Sequence, residues 1–265
     1  MFKARVEQIA DVLKWRHVSK EIVLFRYLPH LFMQLMDRYF RLEVYGLENI
    51  PKKGRALICP NHSGFSGFDA MLLSHEIFKH KHRVPRTLTH HLWFATEFTS
   101  TSAHKLGYIE ATAENGEREL KKNHLVILFP EGENGNFKPT NKAYQLQRFK
   151  SGMVRMALSA NAPIVPTLII GAEETHINLK KIKFGKDLSL PLPFNILPFP
   201  IKWKMIFLPP IDLTDFKKHQ KDRVWIREKT EEIQNLMQKN LNQILKQRSS
   251  VYRYIPKLVD KITQK

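Results

Sequence analysis

Cysteine is almost absent. Cys59 stands alone among 265 residues, so no disulfide can close within the chain. That excludes a disulfide-stapled scaffold and points to a reducing compartment. Long apolar runs are missing as well: no window holds about 18 consecutive apolar residues, which leaves no evident bilayer-spanning helix. The opening stretch MFKARVEQIADVLKWRH scatters charges among its apolar positions and lacks the core of a signal peptide. Acidic side chains are scarce, with 25 Asp and Glu against 43 Lys and Arg, a formal net charge of +18. A surface of that sign calls for an anionic partner. The basic residues are spread along the chain, without a helix-turn-helix, zinc-finger or RNA-recognition pattern, so nucleic acid is not the expected partner. A membrane surface with anionic lipids is. The expected location is peripheral, on the cytoplasmic face of the cell membrane. Oligomeric state is not legible.

What is present is a sizeable stock of core residues, 43% hydrophobic. Residues 1–40 read as helical. In LFRYLPHLFMQLMDRYFRLEVYG (24–46), apolar residues recur on one side, with Arg26, Arg38 and Arg41 among them. A basic amphipathic helix of this kind suits a membrane interface, and an ordinary core-packing helix is the plainer alternative. From residue 42 the pattern changes. RALIC (55–59), LVILF (125–129), APIVPTLII (162–170) and IKWKMIFL (201–208) read as strands. AMLLSHEIFKH (70–80), 151–160, 217–247 and 251–262 read as helices. Strands alternating with helices predict an α/β fold: a mixed, mostly parallel sheet flanked by helices, behind an N-terminal helical membrane-binding segment. The expected division is a membrane-associating segment, 1–41, and a catalytic domain, 42–265. The proline-rich, uncharged stretch LSLPLPFNILPFP (188–200) reads as an apolar loop that either packs on the body or dips into lipid.

Three segments carry chemistry. PNHSGFSGFDAMLL (60–73) follows a buried strand and precedes a helix, which puts Asn61 and His62 at a strand's C-terminal end, where α/β sheets build their sites. Asp69 follows at the helix start. A carboxylate on one imidazole nitrogen sets the tautomer and raises the basicity of the other. The plainer reading is a helix-capping Asp and a loop His. LVILFPEGENGNFKP (125–139) places Glu131 and Gly132 at a second strand end. In RFKSGMVRMALSA (148–160) a basic turn opens a helix, where Lys150 and the backbone N–H groups near Gly152 could hold an anion. Cys59 lies within a strand and reads as core packing. His75, His80 and His82 are poorly spaced for a metal, and no metal site is expected. His90 and His91 end a short strand; the plainer reading is that one of them is buried and hydrogen-bonded, and the alternative is that they line the cleft.

The order of these segments resembles the glycerolipid acyltransferase family, which includes 1-acylglycerol-3-phosphate acyltransferases, over about residues 48–210. The likeness rests on Asn61-His62 with a downstream Asp69, Phe129-Pro130-Glu131-Gly132, Phe149-Lys150-x-Gly152 and Val165-Pro166. It implies that His62 deprotonates an acceptor hydroxyl, oriented by Asp69, while Glu131 helps to position the acceptor. The implied donor is acyl-CoA or acyl-carrier protein, with no cofactor, no metal and no acyl-enzyme. The implied acceptor is a lysophospholipid or 1-acylglycerol-3-phosphate. Two departures bear on it. Six residues separate His62 from Asp69, where the family usually has four. The family's phosphate-binding arginines fall at Ala113 and Asn134. Either Lys138, Arg148 or Lys150 supplies charge instead, or the acceptor is a neutral or differently charged lipid alcohol; a non-catalytic lipid-binding relative is the further alternative.

Overall fold

The computed structural model describes residues 23–62, 67–184 and 188–248. The helices are α1 (Leu28–Tyr39), α2 (Phe68–Lys81), α3 (Glu97–Lys105), α4 (Ala113–Lys121), the short α5 (Glu133–Asn136), α6 (Gly152–Ala160) and α7 (Arg223–Gln247). The strands are β1 (Glu43–Tyr45), β2 (Ala56–Pro60), β3 (Arg86–Thr89), β4 (Tyr108–Glu110), β5 (Leu125–Ile127), β6 (Ile164–Ile170), β7 (Asn178–Phe184), β8 (Leu188–Pro193) and β9 (Lys204–Phe207). Seven of them form one sheet in the order β1-β9-β6-β2-β5-β3-β4. Every neighbouring pair is parallel except β6 and β9. The sheet is therefore mixed and mostly parallel, as the strand–helix alternation predicts.

The central strands β2, β5 and β6 are buried along their whole length and, apart from Thr167, apolar, because both faces are covered. Alternation along β2 splits its side chains between two cores. Leu57 and Cys59 join one core with α4, α6 and α7. Ala56 and Ile58 join the other with α1 and α2. Burial pushes the Cys59 thiol far up its range, which keeps it an inert core group. Within the second core Phe40 stacks on Trp203, ring centroids 4.5 Å apart, and Phe68 meets the edge of Phe40 at 5.8 Å. That contact fixes where α2 begins.

Two expectations change. The stretch 188–200 is not a loop throughout: Leu188–Pro193 is β8, antiparallel to β7 in a separate two-stranded sheet. An edge strand leaves alternate N–H groups pointing outward, where proline is tolerated. The long polar helix begins at Arg223 rather than 217, with the Asp222 carboxylate accepting from the N–H groups of Val224 and Trp225 as its cap. Residues 217–219 belong to a 3₁₀ turn instead. The helix expected over 251–262, and residues 1–22 of the N-terminal segment, lie outside the described residues. No helix among the described residues is long and apolar enough to cross a membrane.

Candidate active site

The C-terminal ends of β2, β3, β5 and β6 converge on one edge of the sheet, and the singled-out residues sit there. β2 ends at Pro60, and Asn61 follows with no exposed surface. Its side chain works as an extra peptide group. Nδ2 donates to the Ile169 carbonyl at 3.0 Å, and Oδ1 accepts the Ile169 N–H at 2.7 Å. The chain leaving β2 is thereby clamped to β6. Asn61 is a positioning residue; it does not face a substrate.

His62 comes next. Its N–H donates to Glu131 Oε1 at 2.9 Å, and its Nδ1 lies 2.7 Å from Asp69 Oδ2. The Asp69 side chain has no exposed surface, whereas the imidazole is 16% exposed. Asp69 sits in the first turn of α2, and its Oδ1 also accepts the Ala70 N–H at 2.8 Å. Phe129 flanks the imidazole at 4.1 Å between ring centroids. One nitrogen is thus engaged by a buried carboxylate beside an apolar wall. The other is left for a reacting group. Tyr108, on β4, is held protonated: burial, reinforced by nearby Asp69, pushes its phenol up to about 12.

Glu131 is fully buried. Its second oxygen accepts the Gln147 N–H at 2.7 Å and lies 3.7 Å from Lys138 Nζ. Both oxygens are therefore committed to the protein. The expectation that Glu131 touches the acceptor does not fit this geometry: the carboxylate ties His62 to the 138–147 segment. Gly135 makes room for it, since a Cβ there would lie 2.5 Å from Glu131 Cβ. Gly132 adopts φ 57° and ψ −146°, a conformation open essentially to glycine alone. A Cβ at that position would come 3.1 Å from Lys150 Nζ, so the Lys150 side chain lies across Gly132. Lys150 donates its own N–H to Pro130 and is otherwise exposed. Gly152 opens α6 with nothing within 4 Å of where its Cβ would be. His62, Asp69, Glu131, Gly132 and Lys150 come together.

Lys138 is a correction. It does not offer charge to a phosphate, because it is buried and pairs with Glu173 at 2.8 Å. Burial alone would lower its ammonium pKa, but Glu173 and Glu131 outweigh that and raise it. Burial likewise lifts Glu173 to about 7, against the pull of Lys138. Glu173 also accepts the Tyr144 N–H at 2.7 Å. This buried network behind Glu131 escapes sequence reading, because its members lie far apart in the chain. At the rim, His90 Nε2 pairs with Glu133 Oε1 at 2.6 Å; neither His90 nor His91 is buried, contrary to the plainer expectation. His91 packs against His90 with the rings tilted by 36°, centroids 4.0 Å apart, and is exposed.

A buried carboxylate holding a mostly covered histidine, at the carboxyl edge of a mostly parallel sheet, defines an α/β protein with a His–Asp pair at the place where such sheets build their sites. The comparisons narrow that class. Residues 41–170 match the family model Acyltransferase. An uncharacterized protein of Mycobacterium tuberculosis is 33% identical over 230 residues, covering 81% of this chain and 64% of the relative. A DGAT1/2-independent enzyme synthesizing storage lipids from Bos taurus is 25% identical over 173 residues, covering 64% of this chain and 52% of the relative. The crystal structure of the 1-acyl-sn-glycerophosphate (LPA) acyltransferase PlsC from Thermotoga maritima superposes with a TM-score of 0.54. It is 17% identical, covers 88% of this chain and 86% of its own, and shares the fold. Over residues 41–170 the chain matches the Acyltransferase family, and it shares the fold of PlsC. It spans 64% of the length of the mycobacterial relative.

Proposed function

We propose that this protein transfers a fatty acyl group from a thioester donor, acyl-CoA or acyl-carrier protein, to the hydroxyl of a lipid at a membrane surface. The observation that carries the reading is the 2.7 Å contact between His62 Nδ1 and buried Asp69 Oδ2. With Asp69 ionised, Nδ1–H donates to it and Nε2 accepts the proton of the acceptor hydroxyl. The hydroxyl oxygen attacks the thioester carbonyl carbon. The C–S bond breaks, and the imidazolium returns its proton to the departing thiolate. Backbone N–H groups at the mouth would steady the tetrahedral oxyanion, each worth about 3 kcal/mol in other enzymes.

The acceptor expected from the resemblance is a lysophospholipid or 1-acylglycerol-3-phosphate, with Lys150 and the first turn of α6 beside Gly152 as the phosphate-facing groups. A neutral lipid alcohol is a second reading. It is favoured by Ala113 and Asn134 at the arginine places, by the burial of Lys138 and by the similarity to the storage-lipid enzyme. Docking would be peripheral, on the anionic cytoplasmic face of the cell membrane, through α1 and the positive surface.

The test is acyl transfer by the wild type, His62→Ala and Asp69→Asn, with labelled acyl-CoA and acyl-carrier protein against lysophospholipids, 1-acylglycerol-3-phosphate and neutral alcohols. His62→Ala should lose transfer. Asp69→Asn, left with the wrong tautomer, should fall by about 10²–10⁴-fold. Wild-type-like turnover by either variant would refute the base assignment. Strict dependence on a phosphate-bearing acceptor would refute the neutral-alcohol reading.

A further inference from the structure

Between β8 and β9 the chain presents Phe194, Ile196 and Leu197 to solvent, 72%, 84% and 80% exposed. An isolated exposed apolar residue needs no explanation, but three within four positions do. The backbone beneath them is firmly held. Phe194 N–H donates to the Ile177 carbonyl and Phe199 N–H to the Thr175 carbonyl. Asn195 accepts the Ile177 N–H on Oδ1 and donates from Nδ2 to the carbonyls of Thr175 and Leu197. The loop therefore has a set shape whose apolar tips are aimed away from the body.

This loop is also fastened to α1. Tyr39 Oη donates to the Pro198 carbonyl at 2.7 Å, and Arg41 Nη2 to the Pro200 carbonyl at 2.5 Å. Trp203, just beyond the loop, donates its N–H to the Phe40 carbonyl and stacks on the Phe40 ring. α1 itself exposes Leu28, Leu31, Phe32, Leu35 and Tyr39, the helical spacing of a single face. Two apolar surfaces 159 positions apart in the chain are thus cross-tied. Arg38 lies exposed on the same helix, within a chain of net charge +18.

We propose that residues 194–199 form a second membrane-inserting element, which enters the acyl-chain boundary of an anionic lipid surface together with the apolar face of α1. The inference rests on the reading that the protein works at a membrane, and it adds the loop that sets the docking angle. Phe32 packs on Phe68 at 6.1 Å and Phe40 packs on it from another side, so the docked surface is one residue away from Asp69. Docking through both elements would hold the site at a defined height over the lipid.

The experiment uses the full chain and phosphatidylcholine vesicles with and without phosphatidylglycerol. Ile196→Glu combined with Leu197→Glu should weaken partition onto anionic vesicles by about 10-fold or more, given the transfer energy of two large aliphatic side chains. Turnover of a dispersed short-chain acceptor should stay within twofold, since neither residue touches the site. Leu197→Cys gives a second measurement. Cys59 is buried, so an environment-sensitive dye attaches at position 197 alone, and its emission should shift blue when anionic vesicles are added. Wild-type partition by the double variant, or a dye that stays in water while the protein binds, overturns the proposal. So does a wild-type dimer that the double variant converts to a vesicle-binding monomer, which would assign the loop to a second copy of this chain. Loop-dependent partition by a protein that acylates no acceptor would leave the proposal standing and remove the catalytic reading.

Discussion

Replacing Glu131 with Gln separates two roles for that carboxylate. Its oxygens accept one backbone N–H each, from His62 at 2.9 Å and from Gln147 at 2.7 Å. A carboxylate accepts on both sides. An amide accepts on one and turns a donor toward the other N–H. One hydrogen bond to a charged acceptor, worth about 1.5–3 kcal/mol, is lost, and a buried N–H is left facing a donor. Lys138, 3.7 Å from Oε2, loses part of its compensation. The fold should lose about 2–4 kcal/mol, which lowers the Tm by about 5–15 °C in a chain of this size. Freed main chain at position 62 misplaces the imidazole, and a shift of about 1 Å costs about 100-fold in rate. The assay is thermal unfolding beside steady-state acyl transfer below the lowered Tm. The expected result is a kcat reduced about 10–100-fold with acceptor KM within about twofold. An unchanged Tm with a raised acceptor KM would refute the reasoning and return Glu131 to the acceptor.

Asn61→Leu keeps the size of the side chain and strips the Ile169 N–H and carbonyl of their partners. Denaturant unfolding should show a loss of about 2–5 kcal/mol. Gly135→Ala drives a methyl into Glu131 and should reproduce the kcat loss of Glu131→Gln without changing a charge, as steady-state kinetics would show. His75 is buried beside His30, and burial followed by the charges of His30 and Lys79 pushes its imidazole down to about 4. An unfolded His takes up a proton near 6.5, so folding stability is complete above that pH and falls between pH 6.5 and about 4, by at most about 3 kcal/mol. His75→Gln should flatten that limb in unfolding measured across pH. An unaltered slope would place the acid sensitivity on other groups.

The central strands were legible because burial on both faces leaves a near-continuous apolar run, as in Ala56–Pro60 and in Ile164–Ile170, where only Thr167 is polar. β1 was not, because three residues cannot display a period. β8 was read as loop because its prolines forbid a helix interior, and only its pairing with β7 at a sheet edge reveals the strand. The place of His62 and Asp69 between a strand and a helix was legible, but their pairing came from the resemblance carried by the neighbouring motifs, because the two residues alone read more plainly as a loop His and a helix-capping Asp. The direction of Glu131 was not legible. A motif names the residue but is silent on whether its oxygens face a cleft or the main chain. The partners that decide this are the N–H groups of His62, 69 positions before, and Gln147, 16 positions after. Lys138 was misread for the same reason: its burial depends on Glu173, 35 positions on.

The six residues between His62 and Asp69 look like an obstacle only if the intervening loop is what sets the pair. The contacts say otherwise. His62 is placed from the strand side, by the clamp of Asn61 on Ile169 and by the Glu131 carboxylate on its N–H. Asp69 is placed from the helix side, by Phe68 held between Phe32 and Phe40 and by its own Oδ1 on the Ala70 N–H. Each partner is anchored to a different layer of the domain, and the 2.7 Å contact follows from how α2 packs on the sheet. Loop length is then free to vary while the chemistry is kept. What cannot vary is the packing between α1, α2 and the end of β2, which also carries the exposed apolar face. The histidine, its carboxylate partner and the exposed apolar face of α1 are three consequences of one interface.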